Sequence, residues 1–337
     1  MLGSMKILVT GSAGFIGSAL CNQLGILGHK LVLVDNFSDF YDVSLKEERV
    51  KSLLYPLGLE VIDLDISSKT KLDNLVKMYT PEIVINLAAQ AGVRLDMQEN
   101  HKYIDSNILG FNNVLVSCLE HKVPYFLYAS SSSVYGDSSA APYTETETHL
   151  RPNSFYGVTK LSNELTVNAL VKNTSTRARG LRFFTVYGPW GRPDMVYFRM
   201  ISNVISGSEL QIYGDGTIAR DFTFIDDVVN SIISLISDMQ NRGNGFIDIV
   251  NIGGGKPHSI NHLMEVVEDL TRKKVIFNRM ERNLNDIQST LANHSYLRSL
   301  IGDAPKIPIE TGISKTITWA RDPEITKKIK KWVESVG

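Results

Sequence analysis

"KILVTGSAGFIGSAL" (Lys6–Leu20) is a run of aliphatic residues followed by three spaced glycines. The aliphatic run predicts a buried strand, and the residues from Ser18 to Leu27 predict a helix. Glycine at positions 11, 14 and 17 allows a tight turn and a close approach of the backbone to a ligand. The N-terminus of the helix offers free N–H groups to a pyrophosphate. Glycines placed between a strand and a helix in this way are typical of a dinucleotide-binding site.

A carboxylate ends the next predicted strand, "KLVLVD" (Lys30–Asp35). Asp35 follows the glycines by roughly twenty residues, where a carboxylate can bind the ribose hydroxyls of adenosine. Because Asp35 would repel a 2′-phosphate, we expect NAD rather than NADP. Asp65, which ends the third strand, is a candidate adenine contact. The expected NAD contacts are Gly11, Gly14, Phe15, Ile16, Gly17, Asp35, Asn36, Asp65, Ile66, Leu87, Ala88, Ala89, Tyr156 and Lys160.

Further strand-like runs alternate with helical patterns along the first two-thirds of the chain. They are "LEVIDLD", "EIVINLAA", "PYFLYAS" and "ARGLRFFT", and "FIDIVNIGGG" is expected to join them later. Near-continuous apolar strands suit a parallel sheet with helices on both faces. We therefore predict an α/β fold, a doubly wound parallel (Rossmann) sheet with a smaller α/β substrate domain. The predicted NAD-binding domain comprises residues 1–187 and about 222–256, and the substrate domain about 188–221 and 257–337.

Composition narrows the classes of partner. The 337 residues include 35 basic and 36 acidic side chains, a net charge of −1, which suits neither a nucleic-acid backbone nor an anionic membrane. Two cysteines without metal-ligand spacing predict no metal site and fit a reducing cytoplasm. The residues before Met5 are expected to be an appended segment rather than a signal peptide. The C-terminal "TKKIKKWVESVG" predicts a solvated surface helix.

A tyrosine and a lysine open the helix predicted over Tyr156–Val171. In "YGVTK", Tyr156 and Lys160 lie one turn apart and face the same way. Thirteen tyrosines occur in the chain, so this motif alone is weak. Its setting is more informative, because the preceding strand ends in the serine run "ASSSSVYG", Ala129 to Gly136.

Together these motifs resemble the extended short-chain dehydrogenase/reductases, specifically the nucleotide-sugar epimerases, over nearly the whole chain. The resemblance implies that Tyr156 is the catalytic base and Ser131 its partner, with Lys160 and Ser132 beside them. A phenol with a pKa of about 10 is a poor base at neutral pH, but a lysine ammonium and the nicotinamide cation both favour phenolate. The related sugar 4,6-dehydratases have a Thr-Asp-Glu run at the serines. Without such carboxylates, dehydration is not expected.

Several stretches resemble the uronic-acid branch of these enzymes, the UDP-glucuronate 4-epimerases. They are "RFFTVYGPWGRPDM" (Arg182–Met195), "NLAAQAGVR" (Asn86–Arg94), "DSN" (Asp105–Asn107), "RDFTFIDD" (Arg220–Asp227) and "DNFSDFYDVSLKEER" (Asp35–Arg49). The resemblance implies that Thr185 and Arg192 lie at the sugar carboxylate and the diphosphate. The implied substrate-binding residues are Arg94, Ser131, Ser132, Thr185, Arg192, Arg220, Arg282 and Asp286.

The function implied is NAD-dependent C4 epimerisation of a UDP-uronic acid by transient oxidation to a 4-keto intermediate. A UDP-sugar is then the partner, and a homodimer is expected from the family. Oxidising C4 of a glucuronate makes a β-keto acid, which loses CO2 readily when the carboxylate bond lies perpendicular to the carbonyl. Three alternatives remain open: a UDP-glucuronate decarboxylase, a 4-epimerase of another UDP-hexose, and a cofactor-bound regulatory or scaffold protein without catalysis.

Overall fold

Seven parallel strands form the central sheet. A computed structural model describes residues 3–92, 97–136, 141–281 and 287–336. The sheet has the order β3-β2-β1-β4-β5-β6-β10. Strands β2 and β3 are added on one side of β1 and the later strands on the other, so the strand order reverses between β1 and β4. The strands are β1 Lys6–Thr10, β2 Lys30–Asp35, β3 Val61–Asp63, β4 Ile83–Asn86, β5 Tyr125–Ser131, β6 Arg177–Phe183, β7 Thr185–Tyr187, β8 Gln211–Tyr213, β9 Ala219–Phe224, β10 Ile247–Ile252, β11 Pro257–Ser259 and β12 Asn278–Met280.

Helices cover both faces of this sheet. In the described part of the chain the α-helices are α1 Phe15–Ile26, α2 Val43–Arg49, α3 Lys69–Tyr79, α4 Asn100–Tyr103, α5 Phe111–Glu120, α6 Phe155–Val171, α7 Val196–Ser206, α8 Ile225–Met239, α9 Ile260–Thr271, α10 Ser295–Ile301, α11 Ile309–Ala320 and α12 Pro323–Glu334. Ile7 and Val9 pack in one apolar layer with α1 and α8, while Leu8 packs in the other with α3 and α5. This alternation explains why the strand sequences are apolar throughout. The predicted doubly wound α/β fold is confirmed.

Two small sheets are separate from the central sheet. One has the order β11-β9-β7, and the other pairs β8 with β12. The sequence predicts a strand over "KVIFNR" (Lys274–Arg279), but the strand begins only at Asn278. The backbone N–H groups of Val275 and Ile276 donate instead to the side chains of Glu268 and Asn203, so they cannot join a ladder. The predicted return of Ile247–Ile252 to the main sheet is correct.

The C-terminal helix α12 has one buried face. Ile329 and Trp332 are fully buried, and Trp332 Nε1 donates to Ser44 Oγ at 3.0 Å. Lys328 pairs with Glu48 on α2 at 2.6 Å. The amphipathic pattern therefore describes a surface helix that also ties α7 and the α2 segment together. In the part of the chain that the structure describes, no helix combines the length and apolar character needed to cross a membrane.

Candidate active site

A cavity of about 1090 Å³ opens at the carboxyl ends of the central strands. This is where a doubly wound sheet binds ligands, next to the point at which the strand order reverses. Most residues singled out from the sequence line it. These are Gly11, Gly14, Phe15, Ile16, Gly17, Asp35, Asn36, Ile66, Leu87, Ala88, Ala89, Ser131, Ser132, Tyr156, Lys160, Thr185, Arg192 and Arg220.

The turn after β1 has no room for side chains. Gly11 has φ +72°, and a Cβ there would lie 2.6 Å from the backbone nitrogen of Ala88. A Cβ on Gly17 would collide with the carbonyl oxygen of Gly11. These glycines let the turn pack tightly, and Gly11, Gly14 and Gly17 also line the cavity, where they present backbone instead of side chains, as a bound pyrophosphate requires. This cradle fits a dinucleotide such as NAD.

Asp35 is buried at the end of β2 and is held in a fixed orientation. Its carboxylate accepts hydrogen bonds from the backbone N–H of Ala13 at 3.0 Å and of Phe37 at 2.8 Å. Lys46 on α2 also lines the cavity, with its Nζ 3.6 Å from the same carboxylate. The carboxylate thus faces the expected position of the adenosine ribose with a cation beside it.

The structure places Asp65 outside the residues that line the cavity. Its carboxylate accepts from Asn36 Nδ2 at 2.8 Å and from the backbone N–H of Ser67 at 2.8 Å. Burial raises the pKa of Asp65, but hydrogen bonds from the Ser67 side chain, from Ser67 N and from Asn36 outweigh it and lower the pKa. In this arrangement Asp65 acts on the cavity through Asn36, which does line it.

Tyr156, Lys160 and Ser131 meet at the centre of the cavity wall. Ser154 caps α6 by accepting from Gly157 N at 3.1 Å, which fixes where the helix begins. Burial lowers the pKa of Lys160 to about 8, and its Nζ donates to the carbonyl oxygen of Ala129 at 2.9 Å. Burial also raises the pKa of the Tyr156 phenol, while the charge of Arg192 and a hydrogen bond with Ser131 lower it. The phenol therefore already has two neighbours that favour its anion.

An asparagine at a π-helical stretch braces this cluster. Residues Ile104–Gly110 form that stretch between α4 and α5, and such wide turns are frequent at functional sites. The buried Asn107 donates to Thr159 Oγ1 on α6 and to the carbonyl oxygen of Gln90, both at 3.1 Å. It also accepts from Gln90 N at 2.8 Å. Asn107 therefore links the loop after β4 to the helix that carries Tyr156.

The stiff stretch Arg182–Met195 is fixed from behind by an arginine. The fully buried Arg49 on α2 donates to the carbonyl oxygens of Trp190 at 2.8 Å and Gly191 at 3.0 Å. Trp190 itself has φ +62°, a conformation that non-glycine residues rarely adopt. Arg49 also donates to the carbonyl oxygen of Ala13 at 3.3 Å, so it links this turn to the one after β1.

Three further candidate residues from the sequence also line the cavity. Thr185 begins β7, and Arg220 lies near the start of the neighbouring β9, where it donates to the carbonyl oxygen of Ile287 at 2.9 Å. Arg192 forms a two-pronged ion pair with Asp194, with the Nε–Oδ1 distance 3.0 Å. The guanidinium is only about a quarter exposed, so it faces the cavity with one carboxylate already bound to it. Arg94, Arg282 and Asp286 lie outside the described residues.

Sequence reasoning did not single out several lining residues. They include Ser38, Phe40, Tyr41, Lys46, Gln90, Asn153, Asp194 and Thr290. Asp194 could have been noticed, because it stands two residues after Arg192 in the same rigid stretch. Lys46 carries no comparable signal, since only the fold brings α2 against the end of β2.

Comparison with known proteins agrees with this geometry. Residues 7–253 match the family described as "NAD dependent epimerase/dehydratase family". The chain is 34% identical to a probable UDP-glucuronate 4-epimerase from Rhizobium meliloti, covering 94% of this chain and 96% of that one. It is 36% identical to UDP-glucuronate 4-epimerase 4 from Arabidopsis thaliana, covering 94% and 75%.

A solved structure of similar shape is the UDP-glucuronic acid 4-epimerase from Bacillus cereus in complex with UDP-glucuronic acid and NAD. The two chains share 33% sequence identity and a TM-score of 0.85, over 94% of this chain and 98% of the other. The bare glycine turn, the Tyr156–Lys160–Ser131 cluster and these matches agree. The chain belongs to the NAD dependent epimerase/dehydratase family.

Proposed function

We propose that this protein interconverts UDP-glucuronate and UDP-galacturonate by NAD-dependent epimerisation at C4. The observation that carries the proposal is one cavity that joins a dinucleotide cradle to the Tyr156–Lys160–Ser131 cluster and to Thr185 and Arg192. The relatives named UDP-glucuronate 4-epimerase support the substrate. In the same cavity, Asp35 supports NAD over NADP.

In this proposal Tyr156 and Ser131 act on the oxygen at C4, and Lys160 acts on the phenol of Tyr156. When bound, NAD supplies a hydride acceptor and donor. Tyr156, as phenolate, takes the proton of the 4-hydroxyl and later gives it back. The ammonium of Lys160 and the guanidinium of Arg192 favour the phenolate form. The hydroxyl of Ser131 can donate to and accept from the same sugar oxygen as it becomes a ketone.

The keto intermediate of a uronic acid needs a further safeguard. It is a β-keto acid, so the carboxylate must be kept out of the orientation that allows loss of CO2. Thr185 is proposed for this task because it lines the same cavity as Arg192 and Ser131 and begins β7, separated by one residue from the end of β6. Serine hydroxyls at the end of β5 would assist it.

Thr185→Val tests this role, because valine keeps the shape of threonine and lacks only the hydroxyl. We expect the variant to release some UDP-4-keto-pentose and CO2 beside the epimer, since the carboxylate is no longer steered. Each such release would leave the bound cofactor as NADH. Mass spectrometry of the products from UDP-glucuronate detects the loss of CO2. Clean epimerisation at the wild-type rate would remove Thr185 from this task and pass it to another hydroxyl, with Ser132 the first to test.

A substrate panel tests the proposed function as a whole. Purified protein should convert UDP-glucuronate without added NAD, and cofactor released by denaturation should be NAD. UDP-glucose serves as the neutral control and should react far more slowly, because it lacks the carboxylate. Faster turnover of UDP-glucose would indicate a hexose 4-epimerase, and quantitative loss of CO2 would indicate a decarboxylase.

We infer that the two functions of the cavity divide along the chain. Residues 1–187 with about 222–256 are proposed as the NAD-binding unit, and about 188–221 with 257–337 as the substrate unit. The small sheet of β7, β9 and β11 lies at their junction, because β7 belongs to the first unit, β11 belongs to the second and β9 spans the boundary. Both units thereby contribute to one cavity.

A cytoplasmic location is proposed as well, consistent with Cys21 and Cys118, which are free and buried.

A homodimer is proposed on an exposed apolar surface. Val158 and Leu165, seven residues apart on one face of α6, are 47% and 62% exposed. Ile104 and Leu109 on the adjoining helix are 47% and 46% exposed. Apolar side chains grouped on two neighbouring helices favour association with a second copy.

Leu165→Glu should therefore convert the dimer to a monomer, because a charge would be buried at the interface. Sedimentation velocity measures the change. Leu170→Glu on the same helix is the matched surface control. A wild type that sediments as a monomer at micromolar concentration would contradict the proposed dimer.

A further inference from the structure

The helix that carries Tyr156 and Lys160 also buries a carboxylate against the central sheet. Glu164 on α6 is 4% exposed. It accepts from Arg182 through two hydrogen bonds, Nε–Oε1 at 2.9 Å and Nη2–Oε2 at 2.8 Å, and from Ser130 Oγ at 2.5 Å. Ser130 and Arg182 lie directly opposite each other on β5 and β6. One carboxylate thus joins α6 to two central strands.

Three residues spaced by four form one stripe along α6. Tyr156, Lys160 and Glu164 lie on the same side of the helix, on successive turns. Each contacts the carboxyl end of β5: Tyr156 bonds the Ser131 side chain, Lys160 bonds the carbonyl oxygen of Ala129, and Glu164 bonds the Ser130 hydroxyl. The first two contacts belong to the reaction site. The third lies one turn further along α6, and of the two side chains that donate to Glu164, Ser130 lines the cavity and Arg182 does not.

We propose that Glu164, through Arg182 and Ser130, is a positioning residue that sets the axial and rotational register of α6. This inference rests on the proposed function, because it concerns where Tyr156 and Lys160 stand relative to Ser131. Glu164 does not reach the reacting atoms. Its effect passes through the helix backbone to the phenol two turns away.

The energetics of buried ion pairs support a positioning role over a purely stabilising one. Removing two charges from water is costly, and well-packed apolar residues of similar size are often as stable as the pair or more so. The pair here is nearly inaccessible, and Arg182 lies 4.7 Å from the centre of the Tyr135 ring. Apolar side chains would fill that space, but they would allow α6 to shift along its axis or rotate about it on the sheet. Directed hydrogen bonds to two strands do not allow this.

The deciding experiment replaces both charges, as Glu164→Leu/Arg182→Met. Neither charge is then left unpaired, so we expect the melting temperature to remain near that of the wild type. Misplacement of a catalytic group by about 1 Å can cost about 10²-fold in rate. We expect kcat to fall by roughly ten- to a hundredfold, with KM and NAD content little changed. A stable double variant with wild-type kcat overturns the proposal.

Arg179→Met is the matched control for buried charge in the same strand. Arg179 pairs with Asp238 and Asp248 on the side of the sheet away from α6. This variant should lose stability and keep its kcat. An equal loss of kcat in Arg179→Met would show that any disturbed ion pair in β6 has the same effect, and would overturn the specific role of Glu164.

Ser130→Ala removes only the hydrogen bond from β5, and we expect this variant to fold normally. We expect kcat to fall roughly three- to tenfold at unchanged KM, because α6 would be displaced by a smaller distance than in the double variant.

If the wild type proved inactive on UDP-glucuronate, the proposed function would fail. The positioning role would still be tested by a crystal structure of the double variant. There the Tyr156 hydroxyl must move by more than about 0.5 Å relative to Ala129, and an unmoved hydroxyl would refute it.

Discussion

Tyr156→Phe is expected to reduce kcat about 10²–10⁴-fold, the range that general-base catalysis contributes. The substitution removes one oxygen and leaves the ring, which contacts the Tyr103 ring at a centroid distance of 6.1 Å. The fold and NAD binding should therefore be unchanged. Steady-state kinetics with UDP-glucuronate, together with the absorbance of bound cofactor, measure both properties.

Tyr103→Phe is the control for this experiment. Its hydroxyl donates to the carbonyl oxygen of Gly92 at 2.6 Å, so the variant also loses a hydroxyl from the cavity wall. It does not lose the proposed base, and kcat should fall far less than in Tyr156→Phe. If Tyr156→Phe remained within a few-fold of the wild type, Tyr156 would have no part in proton transfer.

Arg192→Ala is the second substitution with a large expected effect. If the guanidinium contacts an anionic group of the substrate, its loss removes a charge-assisted hydrogen bond of about 1.5–3 kcal/mol. KM should then rise roughly ten- to 150-fold. The pKa of Tyr156 should also rise, because Arg192 is the charge that lowers it most. Since the base must be deprotonated, the acidic limb of the kcat/KM profile should move to higher pH.

Asp194→Asn tests the effect of Arg192 on KM while keeping the guanidinium. The carboxylate of Asp194 holds the guanidinium through two hydrogen bonds, and asparagine keeps its shape without the charge. Arg192 then becomes a freer cation, so KM should fall or stay the same. A KM in Arg192→Ala within threefold of the wild type would show that the guanidinium belongs to the wall structure and not to substrate binding.

The sequence was most informative where one local motif determines both conformation and chemistry. The glycine turn predicts β1, α1 and the cradle together, because only glycine fits beside the backbone of Ala88. The Tyr156–Lys160 spacing predicts a shared face, because a helix repeats every 3.6 residues. Strands buried on both faces are continuous in apolar residues, so the parallel sheet could be predicted from apolar runs that alternate with helical patterns.

Residues brought together only by the fold could not be predicted in this way. Arg49 lies more than a hundred residues before the turn that it fixes at Trp190 and Gly191. Lys46 reaches Asp35 only because α2 folds back over the end of β2. The sequence predicts that Asp65 ends the third strand, but β3 ends at Asp63. The Asp65 carboxylate accepts hydrogen bonds from Asn36 and Ser67, which the sequence pattern does not reveal.

The central claim is that the hydrogen at C4 is removed and returned to the same carbon from the other side. UDP-glucuronate deuterated at C4 tests it directly, with NMR and mass spectrometry of the product formed in ordinary water without added NAD. The account predicts UDP-galacturonate that retains its deuterium at C4. Product with solvent hydrogen at C4, or no epimer at all, would contradict it.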